Sequence, residues 1–583
     1  MSFLSRIMVV KSKAHFSAGG NNHPGDLSRG APFEGIRKRR GNQARSRVAI
    51  VIAGFSVVYC IIGGRLIQYG FAQPETVSSI GRADNLMASR PDILDRNGQI
   101  LATDIRTVSL FAEPHKIVDA DEAVEQLATV LPNLNNADIY NKLKSKSRFQ
   151  WLRRQLTPKQ QSDILALGIP GIGFRPEKRR FYPGGVTASH VVGHVNVDNR
   201  GIAGMERWID NQGLADLAAI GMTSDAKLEP VRLSIDLRVQ NIMRDVVVDA
   251  MVKFKSLAAG GVVMDVKTGE ILAMVSYPDY DPNKPADGAK EGWMNRMSNG
   301  TFEMGSTFKS FTTAMALDSG KVKLTDSFDA RFPIRIGGFT IKDFHGKHRV
   351  LTVPEIFQYS SNIGTAKMAD LVGIDAHKEF LTRIGLLTRI QTELPEIKMP
   401  SQPKVWKKIN SITISFGHGV STTPLQTAVA GGALINGGKL IEPTFLPRTI
   451  EEAAAASTQV IKKSTSDDMR YLFRWNGVHG SGRNARVPGF NVGGKTGTAD
   501  KVVNGRYSSD ANFNAFLAGF PIDDPRYVVL TFIDEPKTDK GNGAALAGNT
   551  AAPMVHDIIS RSAPLLGVEP KFGADGSALL VAY

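Results

Sequence analysis

Ser306 and Lys309 stand three residues apart in the stretch FEMGSTFKSFTTAMALDSG, which runs from Phe302 to Gly320. In a helix that spacing places two side chains one turn apart on the same side. A serine hydroxyl becomes a strong nucleophile only when a base takes its proton, and no His–Asp arrangement accompanies this one in the manner of a hydrolase triad. Lysine is the base at hand. The pair alone carries little weight, because the chain holds three S-x-x-K matches, at Ser224/Lys227, Ser306/Lys309 and Ser401/Lys404. Chance supplies roughly two or three in a chain of this length. Pro403 inside the third match disfavours a helix presenting Ser and Lys together, and the first sits in a polar, linker-like stretch. Only Ser306 follows a glycine, opens an apolar-striped helix (Phe308, Phe311, Met315) and meets a C-capping glycine, Gly320. Two readings stay open on the residues alone: a nucleophile with its base, or two ordinary helix residues.

A lysine base has an energetic requirement. Its ordinary pKa of about 10.4 must fall by about 3 units, or about 4 kcal/mol, for the neutral amine to act near pH 7. Burial and a second cation both push in that direction, so the chemistry calls for another lysine in the same cleft. Two K-T-G triplets exist. Lys267-Thr268-Gly269 joins two apolar strands and reads as a solvated hairpin turn. Lys495-Thr496-Gly497-Thr498 follows Gly493-Gly494, whose missing side chains let backbone lie close to a ligand. Between helix and strand lies Tyr359-Ser360-Ser361-Asn362, where Ser360 and Asn362 form a hydroxyl-x-amide unit suited to proton relay and to gripping a peptide amide.

The surrounding pattern says which elements position these groups. From Val231 a short strand leads into an amphipathic helix, then into the hairpin GGVVMDVKTGEILAMVSYP. Helix-rich stretches occupy the 300s and 410–440, and the strands NVGGKTGTAD, FNAFLAGF and RYVVLTFIDEP precede a helix from Ala551 to Ser562. The natural assembly is α+β, a central antiparallel sheet with helices grouped around it. Residues 70–230 read as short strands and helices between Pro and Gly turns, with Asn97-Gly98 a strong hairpin signal. Their two turn clusters, RPDILDRNGQILA and RRFYPGGVTASHVVGHVN, read as structural. Residues from about 566 onward, rich in Gly and Ala, read as a loosely attached tail.

Charge and hydropathy place the chain. Of the formal charge of +15, residues 1–47 supply +8. A basic arm could serve nucleic acid, but its neighbour decides against that. Val48–Gly64 is 17 residues without a charge between Arg47 and Arg65, which with Leu66 and Ile67 roughly spans a hydrocarbon core. The preceding polar segment is too long for a signal-peptide n-region. The expectation is an uncleaved signal anchor over 48–68, with its N-terminus cytoplasmic by the excess of Lys and Arg before it. The only cysteine, Cys60, falls inside that run, so the outer portion carries no disulfide or thiol chemistry. The 11 His are scattered, and His190/His194 lack a zincin glutamate; neither metal nor cofactor is expected.

In order, Ser306-x-x-Lys309, Ser360-x-Asn362 and Lys495-Thr496-Gly497-Thr498 resemble the motifs of penicillin-binding proteins and serine β-lactamases. RPDILDRNGQILA resembles a class B penicillin-binding protein signature, with Pro91 where a glycine is usual. FYPGGVTASHVVGHVNVDNRGIAGME and SFGHGVSTTPLQ resemble the division-specific branch, the FtsI-type septal transpeptidases. The resemblance covers roughly 45–565, with the basic tail and the last 17 residues outside it, and the chain as a whole reads as five parts. These are a basic cytoplasmic tail (1–47), a transmembrane anchor (48–68), an elongated mixed α/β pedestal of the dimerisation type (69–230), a β-lactamase-like transpeptidase domain (231–565) and a flexible tail (566–583).

The resemblance implies acyl transfer on peptidoglycan stem peptides ending in D-Ala-D-Ala, in the periplasm at the inner membrane. Ser306 would be the nucleophile, Lys309 its base, Ser360 a proton relay and Lys495 the group tuning both. Asn362 would hold the donor amide. Thr496, Gly497 and Thr498 would bind the terminal carboxylate, with backbone N–H groups of Ser306 and Thr498 as the oxyanion hole. β-Lactams would acylate the same serine, and a septal glycosyltransferase and other division proteins would be partners. Among rivals, a β-lactamase would need a deacylating glutamate, for which no candidate stands out. A class A enzyme would need a glycosyltransferase domain that 70–230 is too short to hold. An elongation-specific class B enzyme and a non-catalytic division scaffold are the remaining alternatives.

Overall fold

The computed structural model describes residues 52–60, 62–64, 90–213, 228–288, 290, 292–503, 505–537 and 545–572. The chain divides into two compact units, residues 1–81 and 82–583. In the first, 52–60 and 62–64 are helical; the rest of the expected anchor at 48–68, and the basic tail before it, lie outside the described residues. No described helix is long and apolar enough to cross a membrane.

The second unit opens with the pedestal. β1 (Ile93–Leu94) turns through Asn97-Gly98 into β2 (Ile100–Ala112), with Gly98 at φ +84. The Asp95 carboxylate fixes that turn, accepting from the N–H groups of Asn97 and Gln99 at 2.8 Å each. β3 (Gln150–Leu156) and β4 (Ile172–Phe181) pair antiparallel with β2. Over this sheet lie α1 (Ala120–Val130), α2 (Asn136–Leu143) and α3 (Pro158–Leu167), capped by the side chains of Asp119, Asn135 and Thr157. Leu110, Leu127, Ile139, Leu152 and Ile164 close a separate small core between them.

The two turn clusters meet on one carboxylate. Glu206, on α4 (Gly204–Asn211), is fully buried. It accepts from Arg90 Nε at 2.8 Å and from Arg180 Nε at 2.6 Å. Arg180 also donates to Pro91 O at 2.8 Å, and Arg90 to Asp210 at 2.5 Å. Opposite charges and hydrogen bonds on every side let these ions leave water. His190 and His194 are taken up nearby by Pro278 O (3.2 Å) and the Tyr280 hydroxyl (3.0 Å). The boundary near 231 is shared rather than cut: β5 (Val231–Arg232) pairs parallel with β1.

Beyond it, α5 (Leu237–Phe254) precedes the hairpin β6 (Ala258–Asp265) and β7 (Ile271–Tyr277). With β8 (Gly493–Val503), β9 (Arg506–Phe520) and β10 (Tyr527–Asp534) these form an antiparallel sheet in the order β8-β9-β10-β6-β7. The two-residue period of a strand sends alternate side chains to opposite faces. Phe513, Ala515 and Leu517 join the core with α6 (Phe308–Asp318), the fully buried α9 (Pro424–Ile435) and α10 (Lys463–His479). Phe516, Ala518 and Phe520 join the core with α5 and α11 (Ala551–Ser562). Two further helices, α7 (Val353–Tyr359) and α8 (Asn362–Val372), stand beside α6.

One boundary differs from the sequence reading. Leu566 and Val568 are buried against α5 and α11, and Lys571 N–H bonds Gly489 O at 2.8 Å. Apolar residues set just past α11 hold the chain to the core as far as Val568, and the Lys571 hydrogen bond ties down the exposed residues after it, so the loose tail expected from 566 does not begin there; 573–583 lie outside the described residues.

Replacing Glu206 by Ala leaves Arg90 and Arg180 buried without their shared counter-charge. A loss of about 3–5 kcal/mol is expected, read as a lowered urea midpoint of the full chain in detergent.

Candidate active site

Three backbones meet at Ser306 because three positions lack a side chain. A Cβ on Gly305, which sits at φ +51, would fall 2.5 Å from Thr498 O. One on Gly497 would fall 2.2 Å from Met304 O, and one on Gly417 (φ +90) 2.0 Å from Gly305 O. Each obstacle is main chain and cannot step aside. The turn before α6, the edge strand β8 and the loop carrying SFGHG therefore close on one point.

Ser306 lies half-buried in a 3₁₀ turn, Gly305–Thr307, that feeds α6. N–H groups in a first turn lack intrahelical acceptors and carry the positive end of the helix dipole. Lys309, one turn on, is buried. Its Nζ donates to Ser360 O at 2.5 Å and to Ser360 Oγ at 3.0 Å. From the other side Lys495 Nζ, also buried, reaches the same Ser360 Oγ at 3.0 Å and Thr496 O at 3.2 Å. The second lysine demanded by the chemistry is in the cleft. Burial pushes Lys495 down to about 7. Burial, and then the charge of Lys495, hold Lys309 well below the usual lysine range, against the opposing pull of Asp343.

Helical spacing puts the Lys309 amine within reach of the Ser306 hydroxyl; among the described residues its hydrogen bonds go to Ser360, and Ser306 Oγ makes none. The reason is the end of α7. Ser360 is its C-cap in the left-handed region (φ +54, ψ 46), and its carbonyl accepts from the buried Lys309 Nζ. Such a conformation costs a non-glycine residue about 1–3 kcal/mol, so the surroundings must hold it.

They do so through residues the sequence reading missed. Ser361 caps α8, accepting from Gly364 N at 2.9 Å while donating to Asp343 at 2.7 Å. Asp343 also accepts from Ile363 N at 2.9 Å, and Asn362 Nδ2 donates to Lys342 O at 2.8 Å. On β8, Thr496 Oγ1 is 2.6 Å from Ser481 Oγ. Ser481 N–H bonds Asn476 Oδ1 at 3.2 Å, and Asn476 Nδ2 returns to Gly494 O at 2.7 Å. Thr498 Oγ1 accepts from Ala547 N at 3.1 Å. No spacing rule marks Asp343 or Ser481; a serine capping the helix at Asn362 was the one readable signal.

The decoys fall elsewhere. Lys267 occupies the β6–β7 turn, half-exposed and 3.6 Å from Asp524. Ser401 is an exposed residue bridged to Ser421, outside any helix. Ser224 and Lys227 lie outside the described residues. Among the described residues no three His, Cys, Asp or Glu side chains could hold a metal ion. A serine at a helix start, two buried lysines of lowered proton affinity and a hydroxyl between them can open and close a serine ester.

A model of the penicillin-binding protein transpeptidase domain matches residues 259–560, and a model of the penicillin-binding protein dimerisation domain matches 85–210. The chain is 36% identical over 547 residues to the probable peptidoglycan D,D-transpeptidase FtsI of Caulobacter vibrioides, covering 91% of this chain and 90% of that one. It is 32% identical to the probable peptidoglycan D,D-transpeptidase PenA of Neisseria gonorrhoeae, covering 90% and 94%. Among solved structures it resembles penicillin-binding protein 3 of Mycobacterium tuberculosis, complexed with aztreonam. That likeness has a TM-score of 0.63 at 24% identity, covers 83% of this chain and 97% of the other, and concerns the fold.

Gly497→Ala tests the close approach. Pushing β8 off the Ser306 turn should slow covalent labelling of Ser306 by an acylating reagent by about 10²-fold, the scale of a 1 Å misplacement. The helical circular dichroism signal should remain.

Proposed function

This chain belongs to the class B penicillin-binding proteins, and on that premise we propose that it is a septal peptidoglycan D,D-transpeptidase working through an acyl-enzyme on Ser306. The carrying observation is Ser360 Oγ, 3.0 Å from both Lys309 and Lys495. With its amine neutral, Lys309 takes the Ser306 proton as Oγ attacks the penultimate carbonyl of a D-Ala-D-Ala stem peptide. Ser360 passes that proton to the departing D-Ala nitrogen, and Lys495 keeps both groups in a field hostile to further positive charge. Thr496 and Thr498 receive the terminal carboxylate, Gly497 lets it approach, and Asn362 holds the donor amide. The N–H groups of Ser306 and Thr498 receive the developing oxyanion. A neighbouring stem peptide's amine then takes the acyl group, and a β-lactam stops at the ester.

An intact three-part site argues against a scaffold role, and the stretch from His190 to Glu206 argues for division over elongation. We place the enzyme at the inner membrane, anchored by 48–68 with the catalytic unit periplasmic. The pedestal serves spacing and contact with a septal glycosyltransferase and other division proteins.

Fluorescent penicillin should label the wild type at Ser306 and leave Ser306→Ala blank on a gel. Lys495→Ala should slow labelling by about 10²–10⁴-fold, the range of proton-transfer catalysis, and Lys267→Ala should leave it near normal. The pH profile carries a sign. Lys309 must be neutral, so labelling slows as pH falls through its lowered pKa. Removing Lys495 removes a charge that depresses it, and the residual activity of Lys495→Ala should move its acid limb to higher pH. For topology, a reporter active only outside the cytoplasm should work after residue 75 and fail near residue 40.

A further inference from the structure

His418 is set beside the nucleophile by backbone contact, since it follows Gly417, whose Cβ position falls 2.0 Å from Gly305 O. Its ring packs edge-on against Phe416 and Tyr507, with centroids 5.6 and 5.7 Å away. Glu303, three residues before Ser306, secures Tyr507 and the loop at Gly419. It accepts from the Tyr507 hydroxyl at 3.1 and 3.3 Å and from Gly419 N at 2.8 Å. Asp500 continues the row of Thr496 and Thr498 at two-residue spacing on β8. His418 Nδ1 is shut off from solvent and has no hydrogen-bond partner.

The acylation steps above leave this imidazole unused. Deacylation by an amine makes a different demand, because near pH 7 a primary amine arrives as an ammonium ion and must lose a proton before its lone pair can attack. The Lys495 side repels a cation, whereas Glu303 and Asp500 attract one. The charged and titratable groups facing the ring are Glu303, Asp500, Lys309 and Tyr507. Burial holds the imidazole below the ordinary histidine range, against the pull of Glu303 and Asp500, so it is neutral and able to accept.

We propose that His418 is the base that deprotonates the acceptor amine, with Glu303 as the positioning residue that holds its loop and draws the ammonium in. The inference rests on the Ser306 acyl-enzyme of the preceding subsection. The ammonium gives one proton to His418 Nε2, the ring nitrogen that is not shut off, and the freed lone pair forms the C–N bond to the acyl carbon. The C–Oγ bond then breaks, its electron pair staying on Ser306 Oγ, which takes the amine's second proton through Ser360 and Lys309. His418 releases the first proton to water.

The full chain in detergent is given an acyl-D-alanyl thioester donor with D-alanine as acceptor, and transfer and hydrolysis products are counted; fluorescent penicillin reports acylation separately. For His418→Gln the transfer-to-hydrolysis ratio at pH 7 should fall by about tenfold or more. The deficit should shrink as pH rises towards the pKa of the amine, with the loss falling on transfer and not on penicillin labelling. Glu303→Gln should raise the D-alanine concentration giving half-maximal transfer several-fold. An unchanged ratio in His418→Gln, or an equal, pH-independent loss of labelling and transfer, overturns the proposal. Should His418→Gln fail to fold, an unchanged acceptor requirement in Glu303→Gln overturns it instead. Wild type that takes no penicillin label would sink the Ser306 reading and this proposal with it, whereas normal labelling with an unchanged ratio overturns this proposal alone.

Discussion

Two lysine side chains removed from water share a single hydroxyl, and the rest of the site follows from that constraint. An ammonium taken out of water without a counter-ion is costly enough that the group gives up its proton instead. Asp343 is the nearby acid acting on Lys309, yet it is committed to Ser361 and to the start of α8. What remains for the lysines is a hydroxyl and a carbonyl of Ser360 and the carbonyl of Thr496. Three neutral oxygens lower the cost of burial without restoring full basicity. An amine in that state can both take and return a proton.

Holding this arrangement requires the fold to deliver three separate segments to within main-chain contact. Gly305, Gly417 and Gly497 do so by omission, and β8 can receive them because it is the edge of the sheet. An edge strand has one hydrogen-bonding side unpaired, open to an extended peptide. The opposite side is fixed by 11 register pairs from Gly493↔Gly519 to Val503↔Arg506. Rigidity on one flank and vacancy on the other are what a peptide-binding strand needs.

Much of this was legible in the sequence, for physical reasons. The Ser306 helix announced itself by an apolar stripe and a terminal glycine, the hairpins by Asn-Gly and Lys-Thr-Gly turns, and the second lysine by the energetic demand of the first. Asp343, Ser481 and Asn476 were not legible, because each acts by orienting a neighbour brought close only by the fold. The hydrogen bonds from Lys309 to Ser360 were not legible for a related reason: helical spacing reports which side a chain faces, but a four-carbon arm goes to the acceptor that needs it. Composition misled at 566–568, where Leu566 and Val568 are buried although the chain beyond them turns polar and Gly- and Ala-rich.

The two half-reactions of a transpeptidase ask opposite things of one serine. The donor arrives carrying a carboxylate and must find hydroxyls and a positive field; the acceptor arrives as a cation and must find the reverse. One electrostatic environment cannot serve both, so a site that catalyses transfer rather than hydrolysis has to be polarised across the nucleophile. Lys309 and Lys495 lie with Ser360, while Glu303 and Asp500 lie with the SFGHG loop and the β8–β9 hairpin. Water is neutral and gains nothing from such a gradient. An ammonium does, and that difference can favour a cross-link over simple loss of the acyl group.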